Sequence, residues 1–149
     1  MDMSPGPNAP QLVNWAISFA FCLLSLWIVI REVLFGEHLD GNRIAGAICA
    51  YLLMGVIWAI AYDVIHLLDP ESFSGIPAGA DVSLSMLYYS FVTLTTLGYG
   101  DISPLSHLAH ALSYLEAVAG VMYMAILVAS LIGSFTASAA SRPGPGSPD

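Results

Sequence analysis

Thr95-Thr96-Leu97-Gly98-Tyr99-Gly100-Asp101 is the stretch of this chain whose residue types and spacing point to chemistry. Gly98 and Gly100 alternate with two large residues, Leu97 and Tyr99. Glycine enters left-handed dihedrals without a Cβ penalty, so every second residue here is free to reverse the hand of the backbone. Such a segment offers its main chain rather than a reactive side chain. No nucleophile–base pair and no metal-ligand constellation stands out, which argues against an enzyme. The second unusual residue is Glu116, a carboxyl deep in an apolar run with no basic neighbour in sequence. Intramembrane carboxyls are costly and default to a functional role. Burial disfavours the charged form of such a group.

The elements that must position these residues are membrane elements. Hydrophobic residues make up 57% of the chain and charged ones 9%, against about 25% charged in a soluble domain. The basic residues are only three, Arg31, Arg43 and Arg142, and the net charge is −8. A chain this acidic cannot neutralise a run of phosphates, so nucleic acid is excluded as a partner. Cys22 and Cys49 lie in apolar runs, where free cysteine behaves as a small hydrophobe. The first ten residues contain no basic side chain. A cleaved secretory signal needs one, so the first apolar run is expected to be a retained helix.

Three segments reach the roughly 20 apolar residues that cross a bilayer: 11–34, 44–68 and 108–135. A fourth, 82–95, spans only about 21 Å as a helix and is followed at once by the glycines. A short helix that ends at glycines inside a membrane is re-entrant. Bare backbone at that depth must be buried in protein or line a water-filled path. The arginines place the loop after the first segment, and the tail after the last, in the cytoplasm, with the N-terminus outside. Residues 1–10 are then an extracellular tail, and 137–149 a cytoplasmic tail disordered by composition.

Placed between two spanning helices and behind a short apolar helix, Thr96-Leu97-Gly98-Tyr99-Gly100 resembles the selectivity filter of potassium channels. The resemblance runs from about Ile44 to Phe135, nearly two thirds of the chain. It implies an all-α membrane protein: a pore domain over 43–136, with outer helix 44–68, pore helix 82–95, filter 96–100 and inner helix 108–135. The helix at 11–34 is an extra, peripheral crossing. It implies K+ sites formed by the carbonyls of Thr96, Leu97, Gly98 and Tyr99, with the Thr96 hydroxyl at the inner mouth and Gly100 closing the motif. A filter replaces the hydration shell of the ion with rings of such carbonyls. One chain supplies one strand, so a homotetramer is expected. The implied partners are three further copies, the lipid bilayer and K+ as the permeant ion, without a cofactor, in a bacterial inner membrane.

Aligned on that motif, Thr95, Asp101 and Tyr89 become filter supports, with Tyr89 expected to donate to Asp101. Tyr88 and Tyr89 stand where many family members carry two tryptophans. Val92 and Ser103 replace a glutamate and an aromatic that some members carry. Gly120 falls at the family's inner-helix hinge, although a close helix contact is the competing reading. Val121, Met124, Val128 and Ile132 form one helical stripe that the resemblance makes the pore lining and gate. Glu116 is expected either to hydrogen-bond Ser90 or Thr93 behind the filter or to act as a proton-sensitive gate. Asp63, Asp69, Glu71 and Asp81 gather toward the outer side, with Asp81 a candidate N-cap for the pore helix. The first helix has no arginine series, so gating by a voltage sensor is not expected. A weakly selective cation channel and a non-conducting accessory subunit are the alternatives.

Overall fold

The computed structural model describes residues 9–35 and 41–140. Of the tail expected over 1–10, residues 1–8 lie outside the described residues and 9–10 are already helical; His38 and Arg142 also lie outside them. Four helices follow one another: α1 (Ala9–Phe35), α2 (Gly41–Leu68), α3 (Val82–Leu94) and α4 (His107–Ala140). Two stretches are long and apolar enough to cross a membrane, Ile44–Leu68 in α2 and His107–Gly133 in α4. In α1 the apolar stretch among described residues is shorter, Ala16–Ile28. α1 packs along α2. It leaves Val13, Ile17, Phe21, Leu24 and Ile28 exposed at helical spacing.

α2 stops where Asp69 precedes Pro70. A residue before proline is driven out of the helical region, and Asp69 is extended at φ −144°, ψ 94°. Its carboxylate then caps a short 3₁₀ turn, Pro70–Ser72, accepting from the Glu71 N–H and the Ser72 hydroxyl. A two-residue antiparallel ladder follows, between β1 (Phe73–Ser74) and β2 (Ser103–Pro104). This small β element departs from the all-α expectation. It joins the loop before α3 to the loop after the glycine motif. Gly75, next in line, is at φ +83°, and a Cβ on it would lie 1.8 Å from the Asp101 carbonyl oxygen. Only glycine fits there.

α3 starts at Asp81, whose carboxylate accepts from the backbone N–H groups of Ser83 and Leu84, as expected for an N-cap. Its buried face carries Met86, Tyr89 and Ser90 at i, i+3, i+4. Met86 and Tyr89 enter a cluster with Tyr62, Ile65, Phe73, Ile102 and Ala109. Tyr62, Phe73 and Tyr89 meet edge to face, with ring centroids 5.0–5.6 Å apart, a favoured aromatic geometry. The cluster draws on α2, α3, α4 and both loops, so it ties the segment after Gly100 to the helices.

α4 is one helix from His107 to Ala140. Residues 137–140, expected to open a disordered tail, are helical, and 141–149 lie outside the described residues. Alanine-rich sequence favours helix, and the first proline comes only at Pro143. Polar groups tie the helices together inside the apolar setting. The Tyr123 hydroxyl of α4 donates to the Ala47 carbonyl of α2 (2.6 Å), and Tyr51 of α2 donates to the Leu94 carbonyl at the end of α3 (3.3 Å).

Candidate functional site

α3 ends where the hand of the chain reverses. Thr95 caps it with helical dihedrals, while its hydroxyl donates back to the Phe91 carbonyl at 2.7 Å. Thr96 then stands at φ +58°, Gly98 at +58° and Gly100 at +75°. Positive φ thus recurs at every second residue. The glycines were expected to allow this; Thr96 was not. A β-branched residue at positive φ is strained, by on the order of 1–3 kcal/mol where its surroundings enforce it.

Hydrogen bonds from this segment back to α3 supply the enforcement. The N–H of Thr96 donates to the Thr93 carbonyl (2.9 Å), and those of Leu97 and Gly98 both donate to the Val92 carbonyl (2.9 and 3.2 Å). No peptide bond in the described chain is cis. In a trans peptide the carbonyl points opposite to the N–H that follows it. The carbonyls of Thr95, Thr96 and Leu97 are therefore turned away from α3 and from the packed body. Val92, noted in the sequence only for a missing glutamate, contributes its main chain: one buried carbonyl anchors two consecutive turns of hand.

Residues 95–101 are all exposed in the single chain. Leu97 and Tyr99 are 55% and 66% exposed, so the described residues leave most of both side chains uncovered. Beyond the motif, Asp101 accepts a hydrogen bond from the Tyr88 hydroxyl at 2.7 Å. This corrects the expectation that Tyr89 makes that bond. Adjacent helix residues point about 100° apart, and Tyr89 lies on the buried face, where its hydroxyl meets Ser113 Oγ at 2.6 Å. Tyr88 lies on the exposed face toward the motif. Its hydrogen bond, helped by backbone N–H groups of Ile102 and Asp101, holds the Asp101 carboxyl below its usual range. Ser103 Oγ donates to the Gly100 carbonyl at 3.3 Å.

Glu116 is fully buried. Ser90 is the partner found, with its Oγ 2.5 Å from Oε1. Tyr62 is a second one that sequence did not indicate, its hydroxyl donating to Oε2 at 2.6 Å. Ser90 Oγ also lies 2.8 Å from the Gly55 carbonyl oxygen. The group joins α2, α3 and α4 two residues before Val92. One turn later, Gly120 meets the end of α3: a Cβ there would sit 2.2 Å from the Leu94 carbonyl oxygen. Gly120 is therefore a close-packing position in this structure. Val121, Met124, Val128 and Ile132 are all exposed in the single chain, at 47–58%.

Among the described residues, then, stand two helices able to cross a membrane, a short helix that is not, and an exposed backbone loop of alternating hand. Residues 46–137 match the family model described as ion channel. The chain belongs to this ion-channel family and is a membrane protein of that kind, not an enzyme. Curated proteins similar to it include potassium channels. It is 31% identical to the inward rectifier potassium channel Kirbac3.1 of Paramagnetospirillum magnetotacticum over 58% of this chain and 27% of that protein. It is 34% identical to the human potassium voltage-gated channel subfamily A member 10 over 67% of this chain and 19% of that protein. It is 28% identical to the Drosophila melanogaster potassium voltage-gated channel protein Shal over 83% of this chain and 23% of that protein. The chain thus spans about a quarter or less of the length of these relatives.

Proposed function

We propose that four copies of this chain assemble around a common axis and conduct K+ selectively and passively through the Thr96–Gly100 carbonyls. The observation that carries this reading is the alternation of positive φ at Thr96, Gly98 and Gly100, with the N–H groups of residues 96–98 turned back into α3. Alternating hand presents successive carbonyls on one side, and that side faces away from the chain's own core. One strand cannot surround an ion; four related by rotation can. The exposure of Leu97 and Tyr99, and of the stripe Val121, Met124, Val128 and Ile132, supports the same assembly. The first pair would pack behind a neighbour's filter, and the stripe would line the vestibule below and serve as its gate. Gly120 would sit at the level where α4 leaves α3 and begins to diverge, with the hinge role its position implies.

α1 supplies a third crossing, peripheral to the pore, with its exposed apolar stripe toward lipid. The N-terminus then lies outside and the end of α4 in the cytoplasm. No voltage sensor is needed for this design. Purified protein in liposomes of defined lipid tests the proposal. K+ efflux, with reversal potentials in mixed K+ and Na+ that follow the K+ gradient, is expected. Equal passage of Na+ would make the chain a weakly selective cation channel. Absence of flux from a tetramer of proven integrity would make it an accessory subunit.

A further inference from the structure

Protons can be counted around Glu116. Three short oxygen–oxygen contacts meet there: Tyr62 Oη to Oε2 at 2.6 Å, Ser90 Oγ to Oε1 at 2.5 Å, and Ser90 Oγ to the Gly55 carbonyl at 2.8 Å. Each contact needs one proton to be attractive. The Gly55 carbonyl only accepts, and the hydroxyls of Tyr62 and Ser90 bring one proton each. Two protons cannot serve three contacts. If Glu116 were ionised, the Ser90 proton would go to the carboxylate. The Gly55 oxygen would then face the Ser90 oxygen with no hydrogen between them, in a site without water-exposed surface. Such an unsatisfied buried contact is costly.

We infer that Glu116 is a neutral carboxylic acid, that its O–H donates to Ser90, and that Ser90 donates onward to the Gly55 carbonyl, so that two hydrogen bonds in series link α4, α3 and α2. Tyr62 completes the set by donating to the acid's carbonyl oxygen. The groups facing Glu116 agree with this. The ionisable ones are Tyr51 and Tyr62 from α2 and Tyr89 from α3, and among the described residues no basic side chain pairs with it. Charge on Glu116 would therefore have no compensation. The consequence rests on the proposed function. Ser90 precedes Val92 by two residues on α3, and the Val92 carbonyl holds the Leu97 and Gly98 N–H groups. Glu116 is thus a positioning residue for the filter, acting through Ser90, and its proton is a structural part.

Infrared difference spectroscopy of the reconstituted tetramer at neutral pH, wild type minus Glu116→Gln, is the direct test. A carboxylic-acid carbonyl band that shifts in D2O and is missing from Glu116→Gln is expected. Tyr62→Phe should keep that band and move it to higher frequency, because the carbonyl oxygen loses its donor. Carboxylate bands alone in the difference spectrum would overturn the inference, whatever the protein conducts. Glu116→Gln carries an amide N–H in place of the acid proton and should keep the K+ over Na+ permeability ratio. Glu116→Leu should lower it on the order of tenfold, the scale of one buried hydrogen bond lost. An unchanged ratio in Glu116→Leu would overturn the positioning role. A wild type that passes no K+ would count against the proposed function while leaving the spectroscopic result to stand on its own.

Discussion

The backbone at Gly98 and Gly100 makes a specific demand on substitution. A Cβ at Gly100 meets nothing within 4 Å, and one at Gly98 meets only the Thr96 carbonyl oxygen at 4.0 Å. Alanine at either position is therefore opposed by backbone hand, not by a clash, at about 1–2 kcal/mol per residue in the left-handed region. Gly100→Ala is expected to leave the helices folded, by circular dichroism, while reducing K+ over Na+ selectivity in reversal-potential measurements. Asp101 carries a second prediction. Its carboxyl is held low chiefly by Tyr88, so the contribution of that bond is fully present above the ordinary carboxylate range. It is lost as pH falls through the lowered folded-state value. Tyr88→Phe should raise the Asp101 titration midpoint, followed by carboxyl carbon NMR, whereas Tyr89→Phe should not, since Tyr89 bonds Ser113. The pattern of alternating glycines was readable in the sequence. Thr96 at positive φ was not, because that dihedral is imposed by carbonyls of α3 and runs against its own preference.

Between elements, the close approach of α4 to the end of α3 decides what Gly120 tolerates. Alanine there must displace the Leu94 carbonyl, a backbone atom at the junction with the Thr96–Gly100 segment. Overpacking of this kind costs about 1–3 kcal/mol. Gly133, also in α4, has nothing within 4 Å of an added Cβ. Glycine costs a helix interior up to about 1 kcal/mol relative to alanine. Gly120→Ala should therefore lower the thermal midpoint in detergent, and Gly133→Ala should leave it unchanged or raise it. The same measurement on both variants separates a packing role from general helix propensity. Helix spans were legible from apolar run length, and the α3 start from Asp81. The rotational setting of α3 was not. Tyr88 and Tyr89 are neighbours of one type, and only the packed cluster of Tyr62, Phe73 and Met86 determines which of them turns inward.

For the whole molecule, apolar surface exposed on one chain has to be covered. Leu97 and Tyr99 beside the proposed filter, and the α4 stripe from Val121 to Ile132, would lie around the proposed axis. An assembly that binds K+ only when all four strands meet should be stabilised by that ion, by about 2.7 kcal/mol at a hundredfold excess over Kd. The midpoint for thermal dissociation of the proposed tetramer, followed on gels or by native mass spectrometry, is expected to rise in K+ relative to Na+. Gly100→Ala should remove most of that difference. Equal midpoints in the two salts for the wild type would contradict ion binding at the filter.

By itself the sequence determined that the chain is a membrane protein, that the stretches in α2 and α4 are long enough to cross, and where the backbone is free to alternate its hand. Run length, composition and glycine placement act locally, so they can be read along a single strand of letters. The partners of Asp101 and Glu116, the small β ladder pinned by Gly75, and the contact of Gly120 with Leu94 were decided only in the tertiary structure. Each depends on residues 13 to 54 positions apart or on a main-chain atom, and neither distance in space nor the direction of a carbonyl is written in residue type.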